Sequence, residues 1–453
     1  MARRDPFMAR LRSVAGLAGA GTSAAAQFAV TLLITRTLPP AEAGAFFTTT
    51  ALGLMLAGVL RLDTGNGLIY FRARRPCEEL ISERPTTRHR AGDRDQHAAV
   101  ADRIETSGAH RAAAQALVTV RRTTGGVPVA PPDEQATTDG RPLLVVALLP
   151  VVAGALLASV VLTGAEPALA LVLPFVVVAD VLVAATRGTG AMRETLLLSG
   201  LVQPAGQLLL VGGALAAGLS APWLVVAWGV PAVPVVVLAA LRLRGVGTRV
   251  TWREFWSHTS PRSLAAALQA VFQRLDVVIV ALLAGPAEAA FYVAATRFKV
   301  VGQLVGQGLA QGVQAELVRK FAQGEPRAAR ALHRRAARTQ MALTWPFWIG
   351  YALFAPQILQ VFGDGYAHAA DVAVVLAVTM MVAAACGMAD VVVIASGRTR
   401  ASLGNVAAAL AVTVGLDLLL VPAYGAFGAA LGWAGGMLVK NLLPLAQVAR
   451  ATA

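Results

Sequence analysis

Charge is scarce in this chain. Only 14% of its 453 residues are Asp, Glu, Lys or Arg, against roughly 25% in soluble domains, too little to coat cores of that size. Lysine nearly vanishes, with three residues against 36 arginines. The two cysteines, Cys77 in a polar stretch and Cys386 in an apolar one, make no disulfide framework. There is no Walker sequence, no nucleophile elbow and no His/Cys cluster at metal-ligand spacing. RGTGAM at 187–192 imitates a glycine-rich nucleotide loop, but no strand precedes it. These absences exclude a soluble enzyme and a self-contained ATP-driven pump, and they leave no expected cofactor or metal.

What the chain does have is apolar length. Hydrophobic residues make up 56% of it and the mean hydropathy is +0.63. Twelve apolar spans are expected, at about 13–36, 43–66, 142–164, 167–187, 194–218, 222–244, 261–284, 288–316, 338–361, 369–396, 399–423 and 425–448. Each is long enough to cross ~30 Å of hydrocarbon at ~1.5 Å per residue. The fold class is therefore an all-α polytopic membrane protein. The first run exceeds the core of a usual secretory signal, so an uncleaved span is expected there.

The formal net charge of +14 could suggest nucleic acid, but its distribution points to a membrane. Arg3, Arg4, Arg10 and Arg12 precede the first span. Five arginines fall in 241–262 and seven basic residues in 317–338, with Arg187, Arg193, Arg398 and Arg400 in short turns of the same side. The alternate connections, at 37–42, 165–166, 219–221, 285–287, 362–368 and 421–424, hold no Lys or Arg. The positive-inside rule then places both termini in the cytoplasm of a multi-pass bacterial plasma-membrane protein.

One stretch breaks the pattern. Residues 72–141 carry 22 apolar residues in 70, twelve Arg, ten acids and no aromatic. They read either as a polar, disordered cytoplasmic loop or as the product of a reading-frame slip, and their histidines carry no functional reading. The expected organisation is thus 1–71, the first two spans of an N-terminal lobe; 72–141, the polar segment; 142–244, the remaining four spans of that lobe; and 245–453, a six-span C-terminal lobe.

Polar side chains inside spans are costly and face the bundle interior. In the eighth span Tyr292, Thr296, Lys299, Gln303, Gln307, Gln311 and Gln314 follow at spacings of 4, 3, 4, 4, 4 and 3. On one helix they share a face roughly 30 Å long. That predicts a water-lined cavity, with interhelical hydrogen bonding as the alternative. Ser23, Gln27, Thr31 and Thr35, and Ser199, Gln203 and Gln207, form shorter stripes. Gln269, Gln273 and Asp276 share a face beside Arg274, where Arg274 and Asp276 either neutralise each other or bind substrate. Gly428, Gly432, Gly435 and Gly436 read as close helix packing. Asp180, Asp390 and Asp417 are candidate cation or proton sites, with structural roles as the alternative.

Several segments resemble a known family. TRTLPPAEAGAFFTTTALGLML (35–56), LDTGNGLIYF (62–71) and ATRGTGAMRE (185–194) occur in the first half. PRSLAAALQAVFQRLDVVIVALLAGPAEAAFYVAATR (261–297), FGDGYAHAA (362–370), SGRTRASLGN (396–405) and LLVPAYGAFGAALG (419–432) follow in order. Together they resemble polysaccharide-export flippases of the multidrug/oligosaccharidyl-lipid/polysaccharide transporter superfamily, relatives of the O-antigen and lipid II flippases. The resemblance implies two six-helix lobes around a central, partly cationic cavity, and alternating-access export of a polyprenyl-pyrophosphate-linked oligosaccharide. Its implied partners are that lipid-linked glycan, membrane lipids and glycan-polymerase machinery, with no nucleic acid. Lys299, Arg274 and Arg297 become the candidate pyrophosphate contacts, since cations of these shapes suit phosphate. Tyr292, Gln303, Gln307, Gln311, Gln273, Asp276 and Gln27 would line the path. Membrane potential or an ion gradient would drive it: each charge moved across 100 mV is worth ~2.3 kcal/mol. A multidrug or cation antiporter of the related branch, and a non-transporting scaffold of a glycan-assembly complex, are the alternatives.

Overall fold

The computed structural model describes residues 6–72, 141–187, 196–243, 249–396 and 398–450. The expectations for 73–140, including Cys77 and the three histidines there, lie outside the described residues. Almost everything described is helix. The only strands are Arg141–Pro142 and Arg249–Val250, which pair antiparallel.

The first half contains α1 (Pro6–Thr37), α2 (Pro40–Leu60), α3 (64–72), α4 (Leu143–Leu162) and α5 (Pro167–Arg187). It continues with a π-turn at Leu198–Val202 leading into α6 (Gln203–Ala216), then α7 (Ala221–Gly229) and α8 (Ala232–Leu243). The second half contains α9 (Trp252–Phe272), α10 (Leu275–Leu283), α11 (Pro286–Thr296), α12 (Lys299–Ala322), α13 (Pro326–Leu353) and α14 (Ala355–Gln360). After a short 3-10 segment come α15 (Ala370–Cys386), α16 (Ala389–Ala395) and α17 (Thr399–Arg450), which bends at Gly425.

Helix occupies all twelve expected spans. Seven helices, or eight with the bent pair α9–α10 counted as one span, are long and apolar enough by themselves to cross a membrane. The difference from twelve has plain causes. α17 carries two expected spans in one bent helix, and the spans of α1, α11–α12 and α13 contain too many polar residues. Side chains that would be wrong for a soluble surface fit lipid: Leu157, Val160 and Val161 of α4 are 67–74% exposed.

Several spans expected to be continuous are broken. The second turns at Leu62 and Asp63, both at positive φ, where Asn66 donates to Asp63 (2.6 Å) and Arg262 pairs with it (3.2 Å). The seventh bends by 44° at Gln273–Arg274, the eighth breaks at Arg297–Phe298, and the tenth at Gly387, whose φ is +63°. Two basic segments expected as loops extend helices instead. Thr251 caps α9 by accepting from the Glu254 amide (3.3 Å), and α13 begins at Pro326 with proline in its first turn.

Helices up to 243 pack mainly on one another, as do those from 252 onward, and α2 lies between the two sets against α9, α10 and α11. The α2 surface is built for close approach. A Cβ at Gly44 would overlap the Pro286 carbonyl, and one at Gly58 the Ala270 side chain. Away from the arginine-rich end the two sets also meet through Arg36, which donates to the carbonyls of Val361 (2.6 Å) and Gln360 (3.4 Å). Below that contact the rings of Phe28, Phe298 and Phe362 meet edge to face.

The glycines of α17 pack as expected. Cβ atoms at Gly428, Gly432, Gly435 and Gly436 would strike Leu420, Asp417, Leu416 and Thr413 on the facing arm. The arms join where Gly425 takes φ +54°, and the freed amide of Ala426 donates to Glu288 Oε2 (2.8 Å).

Candidate functional site

Two helix breaks, side by side in the second half, bring the charged groups together. Arg274 occupies the residue before α10, with φ −136° and ψ −19°. Arg297 and Lys299 flank the junction of α11 and α12. The starts of α10 and α12, where amides lack intrahelical partners and the helix dipole is positive, lie at the same two breaks.

Asp276, 2% exposed, is the hub. Its Oδ2 accepts from the Tyr292 hydroxyl at 2.6 Å and lies 3.6 Å from Lys299 Nζ, while Oδ1 accepts from the Val277 amide at 2.9 Å. The Lys299 ammonium also sits 4.7 Å from the Trp433 ring and 5.6 Å from that of Tyr292. It is thus held by one carboxylate and two aromatic faces, each worth about 0.5–2 kcal/mol depending on desolvation. The sequence left open whether Arg274 and Asp276 neutralise each other; the close partner of Asp276 is Lys299. Arg297 places its guanidinium 5.7 Å from the Phe47 ring of α2, and its buried Nε has no hydrogen-bond partner among the described residues.

The remaining expected residues divide by place. Gln303, Gln307 and Gln314 on α12 are exposed, as is Gln273 at the α9–α10 break. The side chain of Gln311 lies outside the described residues. Because of the break after Thr296, buried Tyr292 and Thr296 do not continue the glutamine face; the expected single stripe is a buried polar knot followed by an exposed amide row. Amides are costly against lipid, so that row marks a wet surface leading from the arginine-rich end to Lys299. Gln27 lies apart, donating to Gln207 Oε1 (2.7 Å), which in turn donates to the Trp228 carbonyl (3.2 Å), and so ties α1 to α6 and α7.

Sequence reasoning missed Trp433 and Phe47, because lone aromatics on apolar helices carry no periodic signal. It also missed Lys440, which donates to Gln269 (3.4 Å) and lies 5.0 Å from the Phe272 ring. The site offers no nucleophile aligned with a base. It offers three cations against one paired carboxylate at the meeting point of the two helix sets, with a polar approach.

Known proteins with this architecture are transporters. The MatE family model matches residues 261–422, which hold most of the charged knot. The lipid II flippase MurJ, in an inward closed conformation, superposes with a TM-score of 0.62 at 12% identity, covering 97% of this chain and 87% of that one. An inward-facing multidrug resistance MATE family transporter of the MOP superfamily gives a TM-score of 0.60 at 14% identity, covering 95% and 96%. A Vibrio cholerae MATE transporter gives 0.59 at 12%, covering 97% and 95%. No curated protein matches the sequence. The chain therefore has the all-α fold shared by MATE transporters and the lipid II flippase MurJ, with a MatE segment at its second half.

Proposed function

We propose that this protein is a flippase that carries a polyprenyl-pyrophosphate-linked oligosaccharide across the bacterial plasma membrane by alternating access, for cell-surface polysaccharide assembly. The observation that carries this reading is the convergence of Arg274, Arg297 and Lys299 at two adjacent helix breaks, with Asp276 as their one close acid. A pyrophosphate diester brings about two negative charges and several acceptor oxygens, which suit forked guanidiniums, a mobile ammonium and free helix amides. The exposed glutamines of α12 would meet sugar hydroxyls. The lipid tail would stay in the bilayer beside the cavity. With the arginine-rich end in the cytoplasm, as the positive-inside rule requires, an inside-negative potential of 100 mV favours outward movement of two negative charges by ~4.6 kcal/mol, from ~2.3 kcal/mol per charge.

One observation favours a second reading, that of a multidrug or cation antiporter. Asp276, Tyr292 and Trp433 form an acid-and-aromatic cage around Lys299, and an organic cation could take the ammonium's place there. Deleting the gene separates the two. The flippase reading expects surface glycan to disappear and its lipid-linked precursor to build up on the cytoplasmic leaflet. Unchanged glycan, with retention of a fluorescent cationic dye, would support the antiporter and overturn the first reading.

A further inference from the structure

One buried acid stands outside the account so far. Asp417, midway along the first arm of α17, has no exposed surface, and among the described residues neither of its oxygens has a hydrogen-bond partner. Thr413, one turn earlier, has an unpartnered buried hydroxyl as well. Both face the glycines of the second arm, so closely that a Cβ at Gly432 would fall on Asp417 Oδ1. The charged groups whose fields reach Asp417 are Asp276 and Lys299, with the Tyr292 hydroxyl beside them and Arg274 acting on Lys299 in turn. Other charges on elements packed against α17 are farther off along the helix. Glu288 is bound at Ala426, ~13 Å away, and Asp390 at Ser402, ~22 Å away, at 1.5 Å per residue.

We propose that Asp417 is a proton-binding site whose proton is bound together with the anion held by Arg274, Arg297 and Lys299, so that transport is anion–proton cotransport. This rests on the anionic substrate proposed above. The coupling follows from charge counting around one ammonium. With Asp417 ionised, Lys299 faces two buried carboxylates and is held away from any ligand. Protonation of Asp417 forms one O–H bond, removes one negative charge and leaves Lys299 facing Asp276 alone, whose Tyr292 and Val277 hydrogen bonds persist. Lys299 is then free to turn to phosphate. By linkage, whatever protonation does for anion binding, the anion does for protonation.

A metal ion does not fit the same place. It would need several converging oxygen ligands, and among the described residues no three His, Cys, Asp or Glu side chains group to hold one. A carboxyl with no donor in reach is instead accommodated in an apolar interior in its neutral form.

The test uses the purified full-length protein and geranyl pyrophosphate as the probe, titrated calorimetrically across pH in buffers of different ionisation enthalpy. The expected result is uptake approaching one proton per probe bound, beyond the probe's own ionisation. Affinity should fall about tenfold per pH unit once Asp417 loses its proton. Asp417→Asn should still bind, with that uptake gone and the pH profile flattened. Equal uptake and profile in Asp417→Asn overturn the proposal, as does affinity in wild type that rises with sodium but not with protons. Should Asp417→Asn not fold, a flat wild-type profile after correction for the probe contradicts it equally. A ligand-free arm uses infrared difference spectra: the carbonyl band of a buried carboxylic acid should be present in wild type and in Asp276→Asn. Its absence in wild type removes the proton site. If the probe does not bind wild type at all, the pyrophosphate reading and the linkage fall together, and the infrared band still decides whether Asp417 holds a proton.

Discussion

Lys299 is where two roles meet. Its ammonium is 3.6 Å from Asp276, and breaking a buried pair from one side typically costs about 3–5 kcal/mol, because the remaining charge is uncompensated. Lys299→Ala should therefore lose transport and lower the amount of folded protein in the membrane. Asp276→Asn combined with Lys299→Ala should restore the protein level, since neither charge remains. If Lys299 also binds substrate, transport normalised to inserted protein stays low in the double variant. Recovery of transport along with protein level would reduce Lys299 to a structural partner. Lys299→Arg should keep part of the activity, because charge survives while geometry changes.

At the scale of elements, breaks matter more than helices. Gly425 bends α17 at a φ of +54°, and the Glu288 carboxylate fills the space a side chain would need. Gly425→Ala should destabilise the protein by about 1–3 kcal/mol, read as a drop in melting temperature in detergent. Unchanged melting would mean that the bend is not constrained. The helices themselves were legible, because runs of apolar residues of membrane length admit little else. The breaks were not. Arg297–Phe298 contains neither glycine nor proline, and its neighbours Val293 and Val301 read as uninterrupted helix. What holds it is tertiary: Phe298 packs on Phe28 and Tyr351, and the Tyr351 hydroxyl donates to the Ala295 carbonyl (2.8 Å). The candidate site was accordingly half legible. Lys299, Asp276 and Tyr292 could be picked out as polar residues in apolar spans, but their union, and the separation of Gln27 on α1, depend on packing that no single-helix periodicity encodes.

At the scale of the molecule, the arginine-rich end and the neutral end should face opposite sides of the membrane. In a variant lacking Cys77 and Cys386, a cysteine at Ser220, between α6 and α7, should react with an impermeant maleimide from outside intact cells. One at Gln323, between α12 and α13, should react only after the membrane is opened. Labelling of both from one side would break the twelve-span arrangement.

The contacts of Arg36 with Val361 and Gln360 close the neutral end, while the α12 glutamines stay exposed toward the arginine-rich end. The cationic knot is thus approached from the proposed cytoplasmic side. The most direct measurement is flipping in proteoliposomes of a fluorescent prenyl-pyrophosphate glycan, with ethidium uptake followed in parallel vesicles. The account predicts that wild type moves the glycan lipid, and that neutral Gln replacements at Arg274 and Arg297 lower that rate at least tenfold per inserted protein, about 1.4 kcal/mol of lost transition-state binding, without raising ethidium movement. Transport of ethidium by wild type, with no movement of the glycan lipid, would contradict it.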